Sequence, residues 1–266
     1  MNEPHTKPSE DSMEGQYSLK KLLFIWAIVG PPMPILAFFV APALATRFDW
    51  NPLLLVWELM ICGMIWQFIV SMWILYRELD EFTWSTIKKR IWLQKPQNPK
   101  TGKTSYTYFW WLIPAFLFYA LMEMTPVEEK IGRLILIPFP FLETLPDLNL
   151  EDLSSPEYVG AWWLMGLAVI SCIFNYFLGE ELLFRGILLP KMRGVFGKWD
   201  WVANSAFFAL YHLHRPVQML AFIFGGLAWS LPSRHFKSIW FAIILHGFEG
   251  IFVLVGVFAV VSGLAF

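Results

Sequence analysis

Charge and cysteine are what this chain has least of. Asp, Glu, Lys and Arg make up 15% of the 266 residues, against about 25% in soluble domains, and they cluster between long apolar runs. A net charge of −1 offers no basic surface to nucleic acid. The two cysteines, Cys62 and Cys172, both fall inside apolar runs, so they read as small buried hydrophobes and not as a disulfide framework. No repeat of fixed period is visible. The first 21 residues lack the apolar stretch of a secretory signal and read as a flexible polar tail. What is abundant is apolar surface: 57% of the residues are hydrophobic and 15 are Trp. A core of this size cannot hide so much from water, so lipid must be the solvent for much of the surface, with the indoles at its interface.

A helix crosses the bilayer with about 20 apolar residues. Runs at 22–45, 53–76, 108–122, 161–178, 201–211, 217–231 and 238–263 are candidates. The apolar segment 131–145, broken by Pro138 and Pro140, reads as a re-entrant or interfacial piece. Pro31, Pro32 and Pro34 must kink or interrupt the first run. The expected fold is an all-α integral membrane protein, a polytopic bundle of about seven (six to eight) transmembrane helices. Its expected organisation is a tail at 1–21, N-terminal membrane helices and loops at 22–159, and a membrane core at 160–262. The stretch 77–107 carries seven Lys or Arg, whereas 123–160 carries two beside eight acids. The positive-inside rule puts 77–107, the N-terminus and 179–198 on the cytoplasmic side.

Ionisable groups within apolar segments are costly and by default suggest function. They concentrate in the last third. Glu181 and Arg185, four apart, share a helix face and can pair. Glu180 lies about 100° round the helix, leaving one carboxylate free to act as a general acid or base. The competing reading is an interfacial acid pair with a snorkelling arginine. The run Phe208-Ala-Leu-Tyr-His212-Leu-His214-Arg215-Pro216 closes another apolar segment. His214 fits a core residue or a cap, but His212 lies one turn deeper. His246 sits well within the last run. One acid and two histidines from three apolar segments can converge on a single water, in a cavity expected to open toward the cytoplasmic side.

Glu180-Glu181-x-x-x-Arg185, Phe208-x-x-x-His212 and His246, in this order, resemble the CAAX protease and bacteriocin-processing family, which includes the type II CAAX prenyl endopeptidases. The resemblance covers roughly residues 160–262. It implies a membrane-embedded endopeptidase cleaving near the C-terminus of a prenylated or other membrane peptide. Glu180 would activate water, His212 would help hold it, His246 would help stabilise the oxyanion, and Glu181 with Arg185 would fix the helix. It implies no cofactor, with a zinc ion held by Glu180, His212 and His246 as the alternative. One position departs from the family: the polar residue expected four places after His246 is Gly250, with Glu249 one place earlier. Two rivals stand beside the enzyme: a non-catalytic scaffold of the same fold, and a transporter or proton relay lined by Glu58, Glu180, His212, His246 and Glu249. The expected location is a bacterial plasma membrane, with the endoplasmic reticulum membrane as the eukaryotic alternative.

Overall fold

The computed structural model describes residues 15–124 and 153–265, with positions 130, 134, 137, 138 and 140 between them. The structure is 78% helical, with no strand among the described residues. We number the helices in chain order: α1 Leu19–Phe48, α2 Pro52–Glu78, a short α3 Trp84–Arg90, α4 Tyr106–Met122, α5 Trp163–Lys191, α6 Asp200–Tyr211, α7 Met219–Phe236 and α8 Trp240–Val261. Among the described residues, α1, α2, α5 and α8 are long and apolar enough to cross a membrane. Only 28% of the most apolar windows of α1 and α8 is buried within the protein, and Phe39, Trp73, Phe252 and Val255 stand exposed on the outer surface. That surface is stable only against lipid. The sequence expectation of an all-α polytopic membrane protein thus holds.

Three of the expected spans correspond to helices that are shorter or more polar. With 12 residues and a rise of about 1.5 Å per residue, α6 is roughly 18 Å long and cannot bridge a core of about 30 Å alone. It forms instead one arm of a hairpin with α7. Asp200, at the start of α6, is joined to Arg234, near the end of α7, at 2.7 Å. The two arms approach closely because a Cβ at Gly226 would meet the Ser205 hydroxyl at 2.6 Å. The segment expected at 131–145 lies almost entirely outside the described residues.

Local chemistry sets the ends. Ser18 caps α1 by accepting from the Lys21 N–H at 3.2 Å. Asn51 caps α2 by accepting from the N–H groups of Leu53 and Leu54, at 2.9 and 3.2 Å, with Pro52 at the first helical position. The prolines of α1 leave a break at Gly30 and a π-helical turn at Leu36–Val40. Order begins before Lys21, where the polar tail was expected to end. Tyr17 is buried and its N–H donates to the Lys191 carbonyl at 3.0 Å. Arg90 holds this corner together, donating to Glu78 at 2.9 and 3.1 Å, to the Tyr17 hydroxyl at 3.0 Å and to the carbonyls of Gly186 and Ile187. Those two carbonyls belong to an irregular stretch of α5, which matters for the site.

Candidate active site

Helix α5 leaves α geometry twice. A π-helical turn covers Phe174–Leu178 and a second π-helical stretch covers Leu182–Leu188. Gly179 closes the first turn by donating five residues back, to the Phe174 carbonyl at 2.7 Å. A Cβ at Gly179 would meet that carbonyl at 2.5 Å and the Met64 carbonyl of α2 at 3.1 Å, so only glycine admits both the wide turn and the contact with α2. Such single π turns inside α-helices are frequent at functional sites. Here the wide turn carries Asn175 to the same side as Glu180, five residues on. With its amide nitrogen facing the acid, Asn175 donates to both Glu180 oxygens, at 3.0 and 3.1 Å.

Glu180, Glu181, Arg185, His212 and His246 are all buried. Glu181 accepts from Arg185 Nη1 at 3.0 Å, as the four-residue spacing requires, and the same oxygen accepts from His246 Nδ1 at 2.8 Å. Arg185 continues the chain to Ser230, Asn204 and the Phe184 carbonyl, tying α5, α6, α7 and α8 through one buried polar network. The His246 ring lies parallel to Trp229, 4.1 Å between centroids, with the edge of Tyr176 at 4.7 Å.

His212 Nδ1 lies 2.9 Å from the Phe208 carbonyl oxygen. A carbonyl only accepts, so Nδ1 carries the proton and Nε2 of the neutral ring presents a lone pair. That Nε2 faces Glu180 Oε1 across 3.6 Å, too far for a direct hydrogen bond. Two acceptors held face to face call for a donor between them.

A cavity of about 270 Å³ meets these groups, far above the roughly 10–15 Å³ that one water needs. Its lining runs along three helices in one direction: Met64 to Leu53 on α2, Glu180 to Ser171 on α5, and His246 to Val253 on α8. All three lead away from the basic stretches 77–107 and 191–198 and toward Leu153. On the other side Phe184, Arg185, Ile187, Leu188, Phe208, Phe241 and Ala242 are completely buried and close the site. The expectation that the cavity opens on the side of the basic loops is therefore corrected. Lysine and arginine counts orient a bundle, whereas the place of a cavity depends on where helices end, and the α6–α7 hairpin turns between Tyr211 and Met219, on the cavity side.

Glu180, His212 and His246 thus line one cavity, and Glu181 and Arg185 support it from behind. Among the described residues no three His, Cys, Asp or Glu side chains, Glu180, His212 and His246 included, converge as a metal-ligand group. Sequence reasoning missed Asn175, whose only signal is its five-residue spacing, together with the second role of Glu181. It also missed why Gly250 is glycine. A Cβ there would meet ring carbons of Tyr176 at 2.6 and 2.9 Å. Glu249 accepts from the Tyr119 hydroxyl at 2.7 Å and lies 3.9 Å from His246 Nε2.

An acid and two histidines are thus buried together in a lipid-facing helix bundle. Residues 160–252 match the family model described as Type II CAAX prenyl endopeptidase Rce1-like. That match, over 93 of the 266 residues, supports a likeness to CAAX-type intramembrane proteases and agrees with the ordered motifs of the same region. Neither a curated protein nor a solved structure matches the chain.

Proposed function

We propose that this membrane protein is a glutamate-type CAAX-like endopeptidase that hydrolyses a peptide bond near the C-terminus of a lipidated peptide. The observation that carries the reading is the 3.6 Å gap between two facing acceptors, Glu180 Oε1 and His212 Nε2, beside a cavity large enough for water. A water lodged there gives one hydrogen bond to each and turns its oxygen lone pairs toward the cavity. As it attacks the substrate carbonyl carbon, Glu180 takes its proton, and the carbon–oxygen double bond opens to an oxyanion. Glu180 then passes the proton to the departing amine nitrogen as the carbon–nitrogen bond breaks. Asn175, on both carboxylate oxygens, keeps Glu180 aimed throughout.

His246 would serve the oxyanion. Its Nδ1 proton is held by Glu181, so donation from Nε2 requires the imidazolium form, for which Glu181 at 2.8 Å and Glu249 at 3.9 Å are the counter-charges. Preorganised donors of this kind are worth about 10²–10³ in rate. The lipid of the substrate has a matching space. An apolar cavity of about 270 Å³, lined by Leu164, Phe252, Gly256, Val257 and Val260, shares Leu153 and Val253 with the cavity at Glu180.

The test is turnover by purified protein of a peptide carrying an isoprenylated cysteine near its C-terminus. The parent should release the C-terminal fragment and Glu180→Gln should not, with its thermal unfolding unchanged. Equal turnover by the two proteins would rule out the role of Glu180. No turnover by either would favour the scaffold or transporter readings.

A further inference from the structure

The turn between α6 and α7 brings a second cation-bearing pair to the catalytic cavity, and nothing in the hydrolytic step uses it. His214 and Arg215 line the same cavity as Glu180 and His212. His214 is 8% exposed, and both its Nδ1 and the Nε of Arg215 are buried without a hydrogen-bond partner. No carboxylate among the described residues pairs with Arg215. The guanidinium lies 5.8 Å from the ring centre of Phe222, which stacks on His212 at 3.8 Å. The backbone N–H of Arg215 donates to the His212 carbonyl at 2.8 Å, which sets the Arg215 backbone one turn from the base-facing histidine. An arginine that merely escapes lipid would point to the outer surface, but this half-buried one lines the cavity with its Nε buried. A buried donor without an acceptor is costly to keep, which calls for an acceptor that arrives with the substrate.

We infer that Arg215, assisted by His214, is the clamp for the free C-terminal carboxylate of the peptide substrate. The guanidinium fork matches a carboxylate with two parallel hydrogen bonds. A carboxylate two or three residues beyond the scissile bond lies about 7–10 Å from it in an extended chain, and Arg215 lines the same cavity as Glu180. The clamp makes the enzyme count residues from the chain end and reject internal loops, which carry no carboxylate there. This assignment rests on the peptidase reading above and is tested separately from it.

The experiment uses two forms of one peptide with an isoprenylated cysteine, one ending in a free acid and one in an amide. Specificity constants are measured for the full-length parent, Arg215→Gln and Arg215→Lys. Binding of both peptides is measured in parallel to Glu180→Gln and to Glu180→Gln with Arg215→Gln, by fluorescence of a labelled peptide. The parent should prefer the acid by about tenfold or more, the gain from hydrogen bonds to a charged partner. The ratio should fall toward one in Arg215→Gln and lie between in Arg215→Lys, in turnover and in binding alike. An acid-to-amide ratio near one in the parent, or one that Arg215→Gln leaves unmoved, overturns the clamp. If the parent cleaves neither peptide, the peptidase reading falls, and the binding ratio alone decides the clamp.

Discussion

Replacing Gly250 by Asn is the most informative single change, because family pattern and local packing forecast opposite results. In the family, a polar residue one turn after the histidine of α8 would add a donor, and losing such a donor costs about 10²–10³ in rate. Packing argues otherwise. The Cβ of any residue at 250 would lie 2.6 and 2.9 Å from two ring carbons of Tyr176, where carbon atoms at rest stand about 3.5–4.0 Å apart. Relief requires a movement of roughly 1 Å. Tyr176 cannot yield freely, since its ring packs edge-on to His246 at 4.7 Å and its backbone belongs to the π turn before Glu180. Overpacking of this kind costs about 1–3 kcal/mol of stability, and a 1 Å misplacement of catalytic groups can cost about 10²-fold in rate. Gly250→Asn and Gly250→Ala should therefore both lower the unfolding temperature and reduce turnover tenfold or more, on the order of 1.4 kcal/mol. Tyr176→Leu should partly restore Gly250→Ala, giving less than additive losses. The assay is turnover of the isoprenylated peptide at matched folded fraction, with thermal unfolding alongside. A tenfold gain in Gly250→Asn would refute the reasoning, because it would mean that the ring gives way and that the natural site lacks a donor.

Other substitutions separate the supporting groups. Glu181→Gln removes the partner of buried Arg185 and the anchor of His246 at once. It should cost about 3–5 kcal/mol, as expected when one member of a buried pair is lost, and a calorimetric scan reads it directly. A change below about 1 kcal/mol, typical of an exposed pair, would contradict the burial argument. Asn175→Ala deletes both amide contacts to Glu180 and should lower kcat while leaving KM nearly unchanged. An altered KM with kcat intact would show that Asn175 binds substrate instead of aiming the acid.

Much of the site was legible because its geometry is local. The pairing of Glu181 with Arg185 follows from a spacing of four, which survives the irregular winding of α5. Burial of His212 and His246 follows from their apolar neighbours. Asn175 was not legible, because on a regular helix a residue five places away points to another side, and only the π turn closed at Gly179 reverses this. The link from His246 to Glu181 depends on how α8 crosses α5, a tertiary fact with no sequence spacing attached. One short run was read by composition alone: 201–211 looks membrane-like, yet its 12-residue helix is too short to cross by itself. The opening of the cavity escaped for a related reason, since it depends on where short helices stop.

The closed layer beneath the acid has an electrical consequence. A cavity reaches Glu180 from one end of the bundle, and on its other side Phe184, Ile187, Leu188, Phe208 and Phe241 are fully buried. Moving an elementary charge across 100 mV is worth about 2.3 kcal/mol, so the location of the voltage drop matters. With water on one side and a dry layer on the other, nearly all of the drop falls across that layer. In the proposed reaction Glu180 shares the potential of the compartment its cavity faces, and its protons are exchanged there without crossing the field. On that reading an energised membrane neither drives nor brakes the hydrolysis, and the bundle holds the reaction within the bilayer without short-circuiting it.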